Sequence, residues 1–238
     1  MGFAVFDIET RVDKALLRQV FFPGEEIDDE EACHRYLEGR RSDFFPVTLH
    51  IPISIAVGDV AEDHALRSVE SLALADYSEE KLVREFWERA EKFNGCLVTF
   101  NGRGFDIPVL ELQALRYGIA APTHFAEPGS GRSRYLDTRH LDLCDFVANH
   151  GAVRLAGGMN LLLKMIGMPG KGGMDGSRVQ EMYETGRLDE IHRYCRNDVI
   201  QTYFLFLRVQ LMRGRIDQAA YQTAYEASAP FLAQLNAA

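Results

Sequence analysis

Phe3-Ala4-Val5-Phe6-Asp7-Ile8-Glu9-Thr10 is the stretch whose reading decides the fold. Phe3 to Phe6 is an apolar run rich in strand formers, and it delivers two carboxylates separated by one apolar residue. Side chains of a strand alternate faces, so Asp7 and Glu9 emerge on one side while Ile8 points the other way, into core. Two like charges on one face repel unless a cation joins them. A hard divalent ion with oxygen ligands, Mg²⁺ or Mn²⁺, is the natural choice. A lone D-x-E is more often a strand running out into a polar loop. The weight of the metal reading therefore rests on residues far downstream.

The composition sets the frame for that search. With 238 residues, 47% apolar and 26% charged, the chain can bury a full core as one large α/β domain or two small ones. No linker, repeat or low-complexity segment separates two cores, so one domain over 1–238 is expected. No apolar run approaches membrane-spanning length, and the N-terminus lacks a basic region followed by an apolar one. A cytoplasmic protein is the expectation. Cys33, Cys96, Cys144 and Cys195 form no C-x-x-C pair and read as reduced, mostly buried thiols. The formal net charge of −9 argues against a protein that grips nucleic acid by bulk positive charge. It leaves room for an enzyme that holds phosphates through metal ions.

Going outward from Glu9, residues 10–46 read as a charged helical insertion with two weakly amphipathic stretches, Val12–Val20 and Glu30–Arg41. It leaves directly from the acidic strand end, which makes it a candidate flap. Strands are predicted near 3–7, 50–59, 65–70, 96–100 and 136–142, with the hairpin-linked second strand antiparallel to the first. Pro52 lies early in the second strand, where an edge or a bulge would tolerate it. Helices are predicted over 78–93, capped by Ser78, over 107–117, 159–166, near 177–185, and over 188–212, with a helical tail. Residues 119–135 read as loop. The carboxylates are expected to cluster at one edge of the sheet.

Two further acidic positions stand out. Asp106 ends Asn101-Gly102-Arg103-Gly104-Phe105-Asp106, where strand gives way to helix. A carboxylate there can simply cap the helix. Yet the loop also offers glycines that permit close backbone approach, an Asn101 amide, and a Phe105 face on which a base could stack. A dinucleotide fingerprint is only weakly suggested by the G-x-G, because no third glycine follows at the required spacing. In the last long helix, Tyr194 and Asp198 are four apart and share a face.

Taken together, FDIET (6–10), NGRGFDIP (101–108) and YCRNDV (194–199) make the chain resemble the DEDD superfamily of 3′–5′ exonucleases, in its tyrosine-bearing branch. More narrowly it is similar to stand-alone bacterial proteins related to the proofreading exonuclease domain of family B DNA polymerases. FFPVTLHIPISIAVG (44–58), LDLCDF (141–146), GMPGKGGMDGSRV (167–179) and TYFLFLR (202–208) extend the likeness from Phe3 to about Arg215. The resemblance implies a ribonuclease H-like α/β fold, a mixed five-stranded sheet with flanking helices. It implies that Asp7, Glu9, Asp106 and Asp198 hold two divalent ions, Mg²⁺ or Mn²⁺, and that Tyr194 orients the attacking water. The substrate implied is the 3′ end of single-stranded DNA or RNA, DNA favoured, cut to nucleoside 5′-monophosphates.

Thr10 and Asn101 are then the next residues to place on the terminal nucleotide, Phe105 a stacking face, and Arg103 and Lys171 contacts to backbone phosphates. Asp142 and Asp145 read as structural carboxylates at a strand end. Two rivals stand beside this reading: a catalytically weak nucleic-acid-binding protein, and a hydrolase of short oligonucleotides or RNA. Intact carboxylates and negative net charge oppose the first, since without metals this surface would repel a polyanion.

Overall fold

The fold is built around β1 (Gly2–Val12), and in this computed structural model residues 2–42, 44–73, 75, 77–126, 131–170 and 176–236 are described. β2 (His50–Val60) and β3 (Leu66–Ser71) follow as an antiparallel hairpin beside it. β4 (Gly95–Thr99) and β5 (His140–Asp142) add on the other side, both parallel. The sheet order is β3-β2-β1-β4-β5, the mixed five-stranded α/β arrangement predicted. Because β1 is the central strand, its carboxylates lie in the middle of the sheet and not at an edge.

Alternation along β1 assigns its faces. Val5 is fully buried with Val98, Leu141, Val199, Tyr203 and Phe206, so its face is covered by α9 (Leu188–Met212). Phe6 and Ile8 pack with Leu82, Phe86, Trp87, Ile107 and Leu110, so the opposite face is covered by α3 (Glu79–Lys92) and α4 (Asp106–Tyr117). Asp7 and Glu9 have the parity of Val5 and face α9. Ser78 caps α3 as predicted, its hydroxyl accepting from Lys81 N at 3.2 Å.

β1 pairs with β4 only from Gly2 to Val5. Beyond Val5 that side of the strand is open to the start of α4. On its other side the register with β2 shifts between Glu9 and Thr10, and Thr10 sits opposite Pro52. A proline has no N–H for a ladder bond. Pro52 thus lies next to the bulge and ahead of the stretch of β2 that pairs with β3, which begins at Ala56.

Four regions differ from their predicted extents. β1 runs on through Thr10 to Val12, so the insertion departs at Asp13, whose carboxylate caps α1 (Lys14–Phe21) by accepting from Leu16 N. α2 (Asp29–Leu37) stops short of Arg41. The two helices share a small core of Val12, Leu17, Ala32, Cys33, Tyr36 and Leu49. Residues 119–135 contain one helical turn, α5 (Pro122–Phe125). The fifth strand is only three residues long because Asp142 ends it. Its side chain accepts from Cys144 N and Asp145 N and so starts α6 (Leu143–Val147). The remaining helices are α7 (Gly158–Met165), α8 (Val179–Glu184), α10 (Gln218–Ala227) and α11 (Ala229–Asn236). Among the described residues no helix is long and apolar enough to cross a membrane.

Candidate metal centre and active site

Asp7 and Glu9 on β1 meet Asp198 on α9. One carboxylate oxygen from each lies within 4.8 Å of the other two. Glu9 and Asp198 are buried and Asp7 half-buried. The close seating of α9 on the sheet makes this possible. Val199, the residue after Asp198, packs over Gly58 so tightly that a Cβ at Gly58 would stand 2.9 Å from Val199 Cγ1. Cys195, nearly one turn before Asp198, donates its thiol to the Asp7 carbonyl at 3.3 Å. Burial, with Asp7 and Glu9 alongside, pushes that thiol well above its usual range, so it stays protonated beside the acids. Three converging oxygen donors with little water around them fit a hard divalent cation.

Asp106 is not one of that group of three; it approaches β1 from the strand's open side, next to Ile8. Phe105, not Asp106, is the N-cap of α4. The Asp106 carboxylate accepts instead from Ile8 N, at 3.3 Å, between the two acids of β1. Burial pushes its pKa up to about 7, opposed by its own N–H and that of Ile8, with Asp142 and Asp198 adding repulsion. A carboxyl held this high by its surroundings gains from any cation placed beside it.

The loop before Asp106 is organised by Asp142, a structural carboxylate at the end of β5. Its Oδ1 accepts from Asn101 N and its Oδ2 from Arg103 N, both at 2.9 Å, besides the two α6 donors. Asn101 is exposed and takes a left-handed φ of 67°. Gly102 serves packing: a Cβ there would stand 2.4 Å from Thr99 Oγ1, so close approach to the chain's own strand, not to a ligand, requires glycine. The Arg103 guanidinium turns back toward β5, donating to the Arg132 carbonyl at 3.0 Å and lying 3.9 Å from Asp145.

Tyr194 is buried on α9, one turn before Asp198, in a cluster with Ile53, Val179, Met182 and Ile191 that joins α8 to the sheet. Thr10 shares a 2.8 Å hydrogen bond with His50 Nδ1. Phe105 packs its ring on His50. Lys171 lies outside the described residues. Two pairs escaped the sequence reading. One is Thr10–His50. The other is Ser54 on β2, opposite Glu9, whose hydroxyl lies 2.8 Å from His192 Nδ1 on α9 and fastens that helix beside the acids. The only signal for either was a polar residue inside an apolar strand.

A mixed sheet whose central strand carries the acids, with a long helix delivering another, defines the class: an α/β, ribonuclease H-like fold. It matches the structure of the family B DNA polymerase from the hyperthermophilic archaeon Pyrobaculum calidifontis with a TM-score of 0.57 and 16% identity, over 89% of this chain and 24% of that one. The chain belongs to the family described as predicted 3′-5′ exonucleases related to the exonuclease domain of PolB, whose model matches residues 42–238. It is also 31% identical over 105 residues to DNA polymerase 1 of Sulfolobus acidocaldarius, a match covering 44% of this chain and 12% of that polymerase. The family match includes Asp106, Tyr194 and Asp198 but begins after Asp7 and Glu9. The fold supplies those two.

Proposed function

We propose that the chain is a metal-dependent 3′–5′ exonuclease that removes nucleotides from the 3′ end of single-stranded nucleic acid, with DNA favoured, releasing nucleoside 5′-monophosphates. The convergence of Asp7, Glu9 and Asp198 carries this reading. Family membership supports the direction of attack. Asp7, Glu9, Asp106 and Asp198 would hold two divalent ions, Mg²⁺ or Mn²⁺. Bound there, such ions make a nucleophile available at neutral pH and neutralise charge developing on the leaving oxygen.

Hydrolysis adds water across the P–O3′ bond, so the 5′-phosphate leaves on the terminal nucleoside and the shortened strand keeps a 3′-hydroxyl. An ordinary phenol has a pKa near 10 and is a poor base at neutral pH. The role of Tyr194 is accordingly a hydrogen bond that orients the attacking water. Thr10 and Asn101 hold the terminal sugar and phosphate, and Phe105 offers its ring to a base. Lys171 and Arg103 meet backbone phosphates, Arg103 by giving up its bond to the Arg132 carbonyl. Residues 1–238 act as one exonuclease domain, in the cytoplasm, with the excursion after β1 as a wall of the site.

A time course on 5′-labelled single-stranded DNA and RNA, with Mg²⁺ or Mn²⁺ and with a chelator as control, tests the reading. A ladder shortening from the 3′ end, abolished by chelation, is the expected result. Cleavage confined to very short oligonucleotides would move the substrate assignment to the short-oligonucleotide reading. Binding without cleavage in either metal would overturn the enzymatic one.

A further inference from the structure

Phe44 is an apolar ring left largely in water, 61% exposed. It belongs to the segment that returns the insertion to β2, and its surroundings are specific. Its ring stacks on His50, with centroids 5.1 Å apart and planes 23° from parallel. It also touches Phe105, at 5.6 Å between centroids. His50 and Phe105 meet edge to face at 5.0 Å. Three rings from two distant segments thus form one step, of which Phe44 is the open end.

Each inner ring is tied to the site. Phe105 immediately precedes Asp106. His50 Nε2 lies 3.1 Å from the Phe45 carbonyl, which can only accept, so that nitrogen carries the hydrogen. Burial lowers the pKa of His50 and keeps the ring neutral, so Nδ1 accepts from the Thr10 hydroxyl. Thr10 directly follows Glu9. Along the chain the step is linked to Asp106 through Phe105, and to Glu9 through His50 and Thr10. Arg40 and Arg41, both exposed, precede Phe44 and place positive charge on the same segment of an otherwise acidic protein.

We infer that Phe44 is a base-stacking residue of the substrate site, contributed by the insertion, and that its occupant is a nucleobase at the 3′ end of a single-stranded polynucleotide. This rests on the exonuclease reading above. An exposed aromatic face takes any base, because every base has a π-face, so Phe44 contributes affinity without sequence preference. Stacking on this ring holds a terminal nucleotide splayed and unpaired, which gives the insertion a role in selecting single strands.

The test compares wild type with Phe44→Leu, which keeps an apolar side chain over His50, and Phe44→Trp, which keeps a stacking face. One probe is a single-stranded oligodeoxynucleotide ending in 2-aminopurine, with a phosphorothioate last linkage to resist hydrolysis. Fluorescence quenching on binding in Mg²⁺ reports stacking. A second pair, hydrolysable, ends either in a normal nucleotide or in an abasic one. Phe44→Leu should abolish most of the quench and raise KM on the normal strand about ten- to a hundred-fold with little change in kcat. Phe44→Trp should preserve both. On the abasic strand wild type and Phe44→Leu should have similar KM. Unchanged quench and KM in Phe44→Leu, in an enzyme that degrades the strand, would overturn the stacking role and leave the exonuclease reading standing. A loss equally large on the abasic strand would also overturn it, since the residue would then act through folding. Wild type that neither binds nor degrades any of these strands would remove both.

Discussion

Asp106 and Tyr194 bring different chemistry to the proposed site. Asp106 has a native pKa raised to about 7 by burial, against an ordinary value of 3.8. Between those values the folded, metal-free protein binds more protons than the unfolded chain, so this group's contribution to stability falls as pH rises from about 4 to about 7. Asp106→Asn removes that dependence while leaving an oxygen to accept from Ile8 N. In the presence of chelator, the stability gained by Asp106→Asn over wild type should grow from pH 5 to pH 7.5 in urea titrations, and Mn²⁺ should shrink it. A gap that is constant or narrows with pH would contradict the burial argument. For Tyr194, the phenylalanine variant should lose about 10²–10⁴-fold in kcat, the scale of a positioned catalytic group, with Mn²⁺ affinity unchanged. Unchanged single-turnover cleavage would reduce the tyrosine to packing between α8 and the sheet.

At the scale of elements, the site depends on how closely α9 lies against β1 and β2. Gly58 sets that distance. A methyl group there would come within 2.9 Å of Val199 Cγ1 and 3.1 Å of Leu66 Cδ1. Val199 is β-branched and stiff in a helix, so it cannot turn aside cheaply. Gly58→Ala should cost about 1–3 kcal/mol by overpacking, and by shifting Asp198 should lower kcat by up to about 10²-fold. Urea unfolding and hydrolysis rates measured together check both; full stability with full activity would mean that helix and sheet can separate freely. The elements themselves were largely legible. D-x-E after an apolar run, Ser78 ahead of Glu79 and Glu80, and the long apolar-faced helix with Y-x3-D each reflect local rules of alternation, capping and helical spacing. The shortened β5 was not legible, because it depends on Asp142 serving four N–H donors, two of them some forty residues away in the chain. The bulge between Glu9 and Thr10 was visible only as Pro52.

Over the whole molecule, residues far apart in sequence become neighbours. Asp7 and Glu9 stand next to Asp198 because the sheet places β1 at its centre and α9 across it. The resemblance drew these acids into one set from their motifs. Periodicity alone could not, since it carries no information on long-range pairing. The Thr10–His50 and Ser54–His192 bonds stayed hidden for the same reason. The opposite direction also holds: Gly102, read as room for a bound chain, proved to be room for Thr99. The insertion is bound to the rest of the molecule by Arg116 on Asp13 at 2.6 Å and by Lys14 on Glu184. Those ties fasten the start of the insertion to α4 and α8, while Phe44 rests on His50 and Phe105. The central claim is that the acidic cluster is the hydrolytic centre, and Asp7 lies outside the stretch that the family match covers. Wild type and Asp7→Ala, purified side by side, should therefore be compared on a 5′-labelled single strand across a Mn²⁺ titration, with unfolding curves for each. Metal-dependent shortening from the 3′ end is predicted for wild type and none for Asp7→Ala. That variant should keep nearly full stability, because relieved repulsion among the carboxylates offsets what the Asp7 side chain contributes to the fold. Shortening by Asp7→Ala at the wild-type rate would contradict the claim.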